Sequence, residues 1–279
     1  MSYKISVILP TKNNSRTIKK CLDSIFSQTY KNFELIVVDN FSDDWTYEIL
    51  HYYDNKYDNM KLFQKWPERN IQRPYWFSKS SWEIVYFIDS DMYLDGFLLE
   101  EINERFTKNR DLCALIVPEI NFDAWWYWTK VKKFERSFYQ WDDQIEAARV
   151  FKREIYEKVG GYDKNLIAWE DWDLSERVKA LGCPIMRTEV TVIHDEWKVE
   201  LFKLLKKKYY YGWQLTKKSE KHWIWAIISK NYFFRPIYYK KFYKFLLHPF
   251  LWVWFVILIF LQTFVMWVAF IKNMLFNRK

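Results

Sequence analysis

The stretch Val85-Tyr-Phe-Ile-Asp-Ser-Asp91 joins a four-residue apolar run to two carboxylates one residue apart. A short apolar run with a β-branched start is the pattern of a fully buried strand. Side chains alternate along a strand, so Asp89 and Asp91 are expected on one face. Carboxylates at the carboxyl end of a buried strand lie where open α/β sheets bind their ligands. The pair would suit Mg²⁺ or Mn²⁺ carrying a phosphate. The competing reading is a polar strand end entering a turn.

Around this stretch the chain alternates between strand and helix. Ile5–Leu9 reads as a strand stopped by Pro10, and Ser15 as the cap of a helix from Arg16 to about Gln28. Phe33–Val38 is a second strand closed by Asp39-Asn40, which makes a βαβ unit and predicts parallel pairing. A helix from Trp45 to about Tyr53, capped by Ser42 or Asp43, follows, then a short strand over Met60–Gln64. Tyr75–Trp82 and Gly96–Phe106 read as helices, and Leu112–Val117 as a strand stopped by Pro118. Ala147–Arg153 reads as a strand leading into a helix from Glu154 to Val159, which Gly160-Gly161 ends. Trp169-Glu-Asp-Trp-Asp-Leu174 opens a helix to Ala180, and Pro184–Ile193 is a last strand ending at His194.

Three features of that pass bear on chemistry. Glu170 and Asp171 stand at a helix start, where the dipole favours acid, yet a carboxylate held there among tryptophans could act as a general base. His194 follows a strand and is either a third metal ligand or an ordinary surface histidine. The aromatic segment from Trp125 to Asp143 is either an acceptor-binding lid or a patch resting on core or membrane.

Composition narrows the class. The 279 residues are 50% hydrophobic and 22% aromatic, which excludes a disordered chain. With 5 glycines and neither GxxxxGK[ST] nor GxGxxG, a glycine-rich phosphate loop is excluded. Cys21, Cys113 and Cys183 lack metal-binding spacing and read as three separate buried apolar residues in a reducing compartment.

The net charge of +8 is unevenly placed. Residues 1–197 hold 27 Lys and Arg against 33 Asp and Glu, whereas 198–244 hold 13 against 2. A mildly acidic region therefore precedes a basic, aromatic-rich one, whose partner would be anionic lipid or nucleic acid. Phe250–Ile271 decides between them: its 22 residues carry no charge and only Gln262 and Thr263 are polar. As a helix it would reach about 33 Å at about 1.5 Å per residue, enough for a bilayer core of about 30 Å. The expected partner is thus a membrane with an anionic lipid surface, and no nucleic acid. The lysine-rich flank places the preceding region in the cytoplasm by the positive-inside rule. The expected divisions are a catalytic domain over 1–200, a basic interfacial region over 201–248, a transmembrane helix over 249–272 and a tail over 273–279.

Several stretches in order resemble family 2 glycosyltransferases. They are Ile5-Ser-Val-Ile-Leu-Pro-Thr-Lys-Asn-Asn14, Leu22-Asp-Ser-Ile-Phe-Ser-Gln-Thr-Tyr30 and Phe33-Glu-Leu-Ile-Val-Val-Asp-Asn-Phe-Ser-Asp43. Phe87-Ile-Asp-Ser-Asp-Met92 looks like the DXD strand, and Phe151–Asp163 with Glu170–Arg177 looks like the acceptor side with its ED motif. The resemblance implies a GT-A fold: a Rossmann-like, mostly parallel α/β sheet with flanking helices. It also implies a nucleoside-diphosphate-sugar donor (a UDP- or GDP-sugar), Mn²⁺ or Mg²⁺, and inversion at the anomeric carbon. On the matching positions, Pro10, Thr11 and Asn13 would line the nucleotide pocket and Asp39 would bond the base. Arg73 would lie near the nucleotide, and Asp89 and Ser90 would belong to its site. Asp91 would ligate the metal, with Asp89 and His194 as further candidates. Asp171 would be the base, with Glu170 placing the acceptor. Asn40-Phe41, where the family usually has Asp and Gly, departs from the pattern, as does Ile71–Phe77 before the DXD strand. The QxxRW motif of processive synthases is absent, so one sugar is expected per transfer.

The acceptor expected is a lipid-linked glycan or glycolipid hydroxyl. A polyprenyl phosphate, which needs no base, and a non-catalytic sugar-nucleotide-binding protein of the same fold are the alternatives.

Overall fold

The structure, a computed structural model, describes residues 2–65, 77, 79–80, 82–121, 125–142, 146–163, 166, 170–196, 198–214 and 236–276. The strands are β1 (Ile5–Thr11), β2 (Phe33–Asp39), β3 (Met60–Gln64), β4 (Ile84–Phe87) and β5 (Met92–Leu94), then β6 (Ala114–Ile116), β7 (Glu119–Asn121), β8 (Val150–Lys152), β9 (Ile185–Arg187) and β10 (Val192–His194). The helices are α1 (Ser15–Phe26), α2 (Thr46–Lys56), α3 (Leu98–Lys108), α4 (Tyr127–Tyr139) and α5 (Arg153–Lys158), then α6 (Glu170–Lys179), α7 (Leu201–Gln214), α8 (Pro236–Lys240), α9 (Tyr243–Leu247) and α10 (Pro249–Phe276). Residues 1–122 with 141–195 form one compact unit, and 123–140 with 196–279 a second.

In the first unit a seven-stranded sheet, among the described residues, runs β3-β2-β1-β4-β8-β6-β9, and β5-β10-β7 form a smaller one. β1 pairs in parallel with β2 and β4, while β8 runs antiparallel to both β4 and β6. All seven residues of β1 and of β2 are buried, because helices cover both faces. Ile5, Val7 and Leu9 meet Ile18, Leu22 and Ile25 of α1 and Leu98, Ile102 and Phe106 of α3 in one core. Ile8, Val85 and Phe87 point the other way, into a core with Phe151, Tyr156, Tyr162, Leu174 and Val178.

Several local expectations need correction. β1 continues through Pro10 to Thr11. That is possible because β4 pairs only as far as Ile8↔Phe87, so no ladder partner needs the N–H that Pro10 lacks. Ser15 is the first helical residue, and Asn14 is the cap. The cap chemistry is supplied across the chain: Asp44 Oδ2 accepts the Ser15 N–H at 3.1 Å and Thr46 Oγ1 accepts that of Asn14 at 2.8 Å. Asp44 Oδ1 also accepts the Thr46 N–H at 3.0 Å, so it, rather than Ser42 or Asp43, serves the start of α2. Pro184–Ile193 is divided between β9 and β10, which belong to different sheets. Glu101 accepts the Glu189 and Val190 N–H groups at the break, each at 2.8 Å. Half of Tyr75–Trp82 lies outside the described residues, so the helix expected there is not tested.

Cys113 and Cys183, 70 residues apart, form a disulfide. The reading as a separate buried residue holds for Cys21 alone. Sequence spacing could not show the bridge, because the pairing of β6 with β9 brings the two cysteines together.

Because Asp44 serves two helix starts, its removal tests the fold directly. Burial opposes ionisation of Asp44, but hydrogen bonds from Thr46 and Ser15 outweigh it and lower the pKa. Its stabilisation is therefore present above about pH 4 and is lost as pH falls through the lowered folded value. Asp44→Ala is expected to cost about 1–2 kcal/mol in chemical denaturation at pH 7. The gap from the parent protein should close towards pH 2.

The second unit has an aromatic core. Phe138 lies 4.8 Å from Phe245 and 5.8 Å from Phe255, and Tyr238 lies 5.3 Å from Phe255, between ring centroids. Lys241 donates to the Phe138 and Gln140 carbonyls, and Lys244 to that of Ser137, satisfying the carboxyl end of α4. At Gly212 α7 meets α10 so closely that a Cβ would clash with the Met266 carbonyl oxygen. α10 is long and apolar enough to cross a membrane. Phe255, Leu258, Ile259, Gln262, Ala269, Phe270 and Asn273 form its buried stripe. Phe250, Val253, Phe260, Phe264, Ile271 and Leu275 are exposed.

Candidate active site

β4 ends at Phe87, and the Met92 N–H closes back on the Asp89 carbonyl at 3.0 Å. Asp89-Ser90-Asp91 is therefore a turn, and strand alternation does not set its side chains. A chain of polar contacts links the two carboxylates. Asp89 Oδ2 meets Arg149 Nη1 at 3.2 Å, and Arg149 Nη2 meets Glu119 Oε1 at 2.7 Å. Glu119 Oε2 meets His194 Nδ1 at 3.0 Å, and His194 Nε2 faces Asp91 Oδ2 at 3.3 Å.

The fold explains this assembly. Arg149 directly precedes β8, and its carbonyl accepts the Phe87 N–H at 2.9 Å, placing it beside the end of β4. His194 lies opposite Met92 on β5 and Asn121 on β7, so β10 carries it between the Asp91 turn and the strand bearing Glu119. Burial alone would lower the Arg149 pKa, but the charges of Glu119, Asp89 and Asp171 outweigh it and hold the guanidinium well above its usual value.

Asp171 joins the group through α6. Ser175 Oγ donates to the Asp171 carbonyl at 2.9 Å and accepts the Ala148 N–H at 2.8 Å. This docks the first turn of α6 beside Arg149, whose charge feels the Asp171 carboxylate. Arg177 anchors the next turn, reaching Asp173 at 2.8 Å and the Gly161 carbonyl at 2.7 Å. Gly161 has φ +63° and lies against Tyr156, where a Cβ would come within 2.8 Å of the ring. Glu170 shares the first turn with Asp171.

The expected nucleotide residues gather at the carboxyl ends of β1 and β2. Asp39 stands opposite Thr11, and its buried carboxylate accepts Ser42 N and Gln64 Nε2 at 3.0 and 3.1 Å, together with the Ser42 hydroxyl. Asn13 has φ +52°, and its side chain accepts the Asp43 N–H at 3.0 Å. Pro10 is buried in β1 next to Thr11. Asn14 Nδ2 reaches Ser90 Oγ at 2.6 Å and so ties the β1 loop to the Asp89–Asp91 turn. Asn40 Oδ1 is buried with no hydrogen-bond partner among the described residues. Arg73 lies outside the described residues.

Glu119, Arg149 and Asn14 contact the expected site residues and carried no expectation from the sequence. Arg149 left one trace, a charge inside an otherwise buried run. Glu119 left none, since an acid after Pro118 reads as a loop.

A divalent cation fits between Asp91 and His194. Two neighbouring ligands on an octahedral ion, each at about 2.0–2.1 Å, stand about 3 Å apart. With its proton on Nδ1 against Glu119, His194 would turn the Nε2 lone pair towards Asp91 Oδ2. Two acceptors so placed call for a cation or a proton between them. Among the described residues no group of three His, Cys, Asp or Glu side chains could hold the ion. The remaining positions would go to phosphate oxygens and water, as is usual for Mg²⁺.

The profile of Glycosyl transferase family 2 matches residues 6–162. Glycosyltransferase AglE of Haloferax volcanii is 36% identical over 91 residues, covering 31% of this chain and 30% of that protein. The cholesterol galactosyltransferase of Borreliella burgdorferi is 33% identical over 104 residues, covering 37% and 29%. The chain thus matches less than a third of the length of these curated relatives. The mannosyltransferase PcManGT from Pyrobaculum calidifontis, solved with GDP-Man and Mn²⁺, superposes with a TM-score of 0.63 at 16% identity, covering 100% of this chain and 89% of that one. That likeness establishes the GT-A fold. With the family profile spanning more than half of the sequence, this chain belongs to glycosyl transferase family 2.

Proposed function

We propose that this protein transfers one sugar from a nucleoside-diphosphate sugar to a hydroxyl of a lipid-linked glycan or glycolipid, with metal assistance and inversion, at a membrane surface. The observation that carries the reading is the Asp91–His194 pair, open to a cation and oriented by Glu119, with Asp171 beside the same Arg149.

Asp91 and His194 would hold Mn²⁺ or Mg²⁺. The ion when bound would neutralise the charge developing on the departing diphosphate. Thr11, Asn13 and Asp39 would place the nucleotide along the ends of β1 and β2, and the unmatched Asn40 Oδ1 would accept a donor from it. Arg149 pairs with Asp89 and would lend its charge to the site. Asp171 would take the acceptor proton as the new bond forms, and Glu170 would orient the acceptor. A membrane location is supported by the exposed apolar face of α10 and by the outward Lys203, Lys206 and Lys207 of α7. An acceptor class of lipid-borne glycans accords with that location. Screening UDP- and GDP-sugars for Mn²⁺-dependent donor hydrolysis tests the reading, and no turnover with any donor would count against it.

Trp141 supplies an acceptor-side prediction. It is 60% exposed with φ +65°, a conformation rare for so bulky a residue. Glu146 accepts its N–H at 3.2 Å, and the Arg187 guanidinium lies 5.5 Å from the ring. An exposed, fixed indole suits stacking on a sugar ring. Trp141→Ala is expected to raise the acceptor KM about tenfold, a loss of about 1.4 kcal/mol, and to leave the donor KM unchanged.

A further inference from the structure

We infer that Asp195, clamped by Arg16 and Tyr93, is a positioning residue that sets His194 against Asp91. The inference rests on the metal-assisted reading above and identifies what builds its two-ligand pair.

β10 has three residues and ends at His194. The terminal residue of so short a strand frays unless the chain beyond it is held. Asp195 is that next residue, and it is buried. Its N–H donates to the Asp91 carbonyl at 2.8 Å, so the backbone after one expected ligand is tied to the backbone of the other. Its Oδ2 accepts Arg16 Nη1 at 3.1 Å and the Tyr93 hydroxyl at 2.6 Å. Its carbonyl accepts Arg16 Nη2 at 3.1 Å. The Arg16 guanidinium thus grips both ends of one residue, from the first turn of α1. Lys20, one turn on, lies 4.1 Å from the Tyr93 ring centroid and steadies that second support.

The charge matters beyond packing. Asp195 Oδ1 is buried with no hydrogen-bond partner among the described residues. Leaving a buried carboxylate oxygen unmatched is unfavourable. The negative charge offsets this by engaging Arg16, the bond that pins the end of β10. The site needs that control, because a pair of ligands 3.3 Å apart loses its bite if one shifts by about 1 Å.

The test titrates Mn²⁺ by electron paramagnetic resonance into the full chain, with nucleoside diphosphate present, for the parent and for Asp195→Asn, Arg16→Ala, Arg16→Lys, Tyr93→Phe and His194→Ala. Asp195→Asn and Arg16→Ala are expected to weaken Mn²⁺ affinity about 10–100-fold, the usual effect of losing a residue that orients a ligand. Tyr93→Phe should act in the same direction but less, and Arg16→Lys should recover part of the loss because it restores the charge. Nucleotide binding without metal should not change, which separates positioning from general disruption. If His194→Ala weakens Mn²⁺ binding while Asp195→Asn and Arg16→Ala leave it at the parent value, positioning by Asp195 is overturned and the metal reading survives. If His194→Ala itself has no effect, both fall. Should Asp195→Asn fail to fold, Arg16→Ala decides, since the Arg16 side chain is half exposed.

Discussion

Asp171→Asn is expected to lower the transfer rate about 10²–10⁴-fold while donor affinity stays within about twofold, since general-base assistance contributes on that scale. Asparagine keeps the size of the side chain and removes its ability to take a proton. The backbone contacts that place the residue would survive, because Ser175 bonds the Asp171 carbonyl and not its carboxylate. The variant therefore isolates proton transfer from packing. Loss of one negative charge beside Arg149 is a secondary effect, since Glu119 and Asp89 still pair with it. The measurement is kcat for transfer to a hydroxyl acceptor, set against donor Kd from calorimetry. Near-parent turnover would exclude a hydroxyl acceptor activated by Asp171. It would favour a polyprenyl phosphate, which is already ionised and needs no base.

The second large effect is expected at the cation pair. Asp91→Ala or His194→Ala should weaken Mn²⁺-dependent binding of the nucleoside diphosphate about 100-fold, or about 2.7 kcal/mol. With only two protein ligands available among the described residues, no third side chain can take over the lost contact. Glu119→Gln should give a smaller loss, about tenfold, because it disturbs the orientation of His194 and leaves the ligand in place. It also leaves Arg149 with one fewer carboxylate. Since a buried charge deprived of a partner is costly, Glu119→Gln should lower the melting temperature as well, whereas Asp91→Ala should not. Equal Kd values with and without Mn²⁺ in the parent protein would refute the metal assignment for Asp91 and His194.

Much of this was legible in the sequence, for reasons that are local. Buried runs such as Val7–Leu9 and Leu35–Val38, separated by a helix with an apolar stripe, specify a βαβ unit through periodicity and chain length. The carboxylates at strand ends pointed to the ligand edge, and the order of motifs pointed to the family. By contrast, one reason given for pairing Asp89 with Asp91 was a strand geometry that the chain does not adopt at that point. In the turn Asp89–Met92 each carboxylate instead meets a partner from a distant part of the chain, Arg149 for Asp89 and His194 for Asp91.

The sequence by itself determined the sheet-and-helix class, the place of the Asp89–Asp91 turn and the apolar helix near the chain's end, because each depends on neighbours along the chain. Tertiary structure alone decided the partners: Glu119 and Arg149 for the carboxylates, Asp44 for the start of α1, Cys183 for Cys113 and Asp195 for the footing of His194. Ion pairs and hydrogen bonds form across space between residues with no fixed spacing in sequence. Whether a charge is a solvated surface group or part of a site depends on which strands the sheet sets side by side.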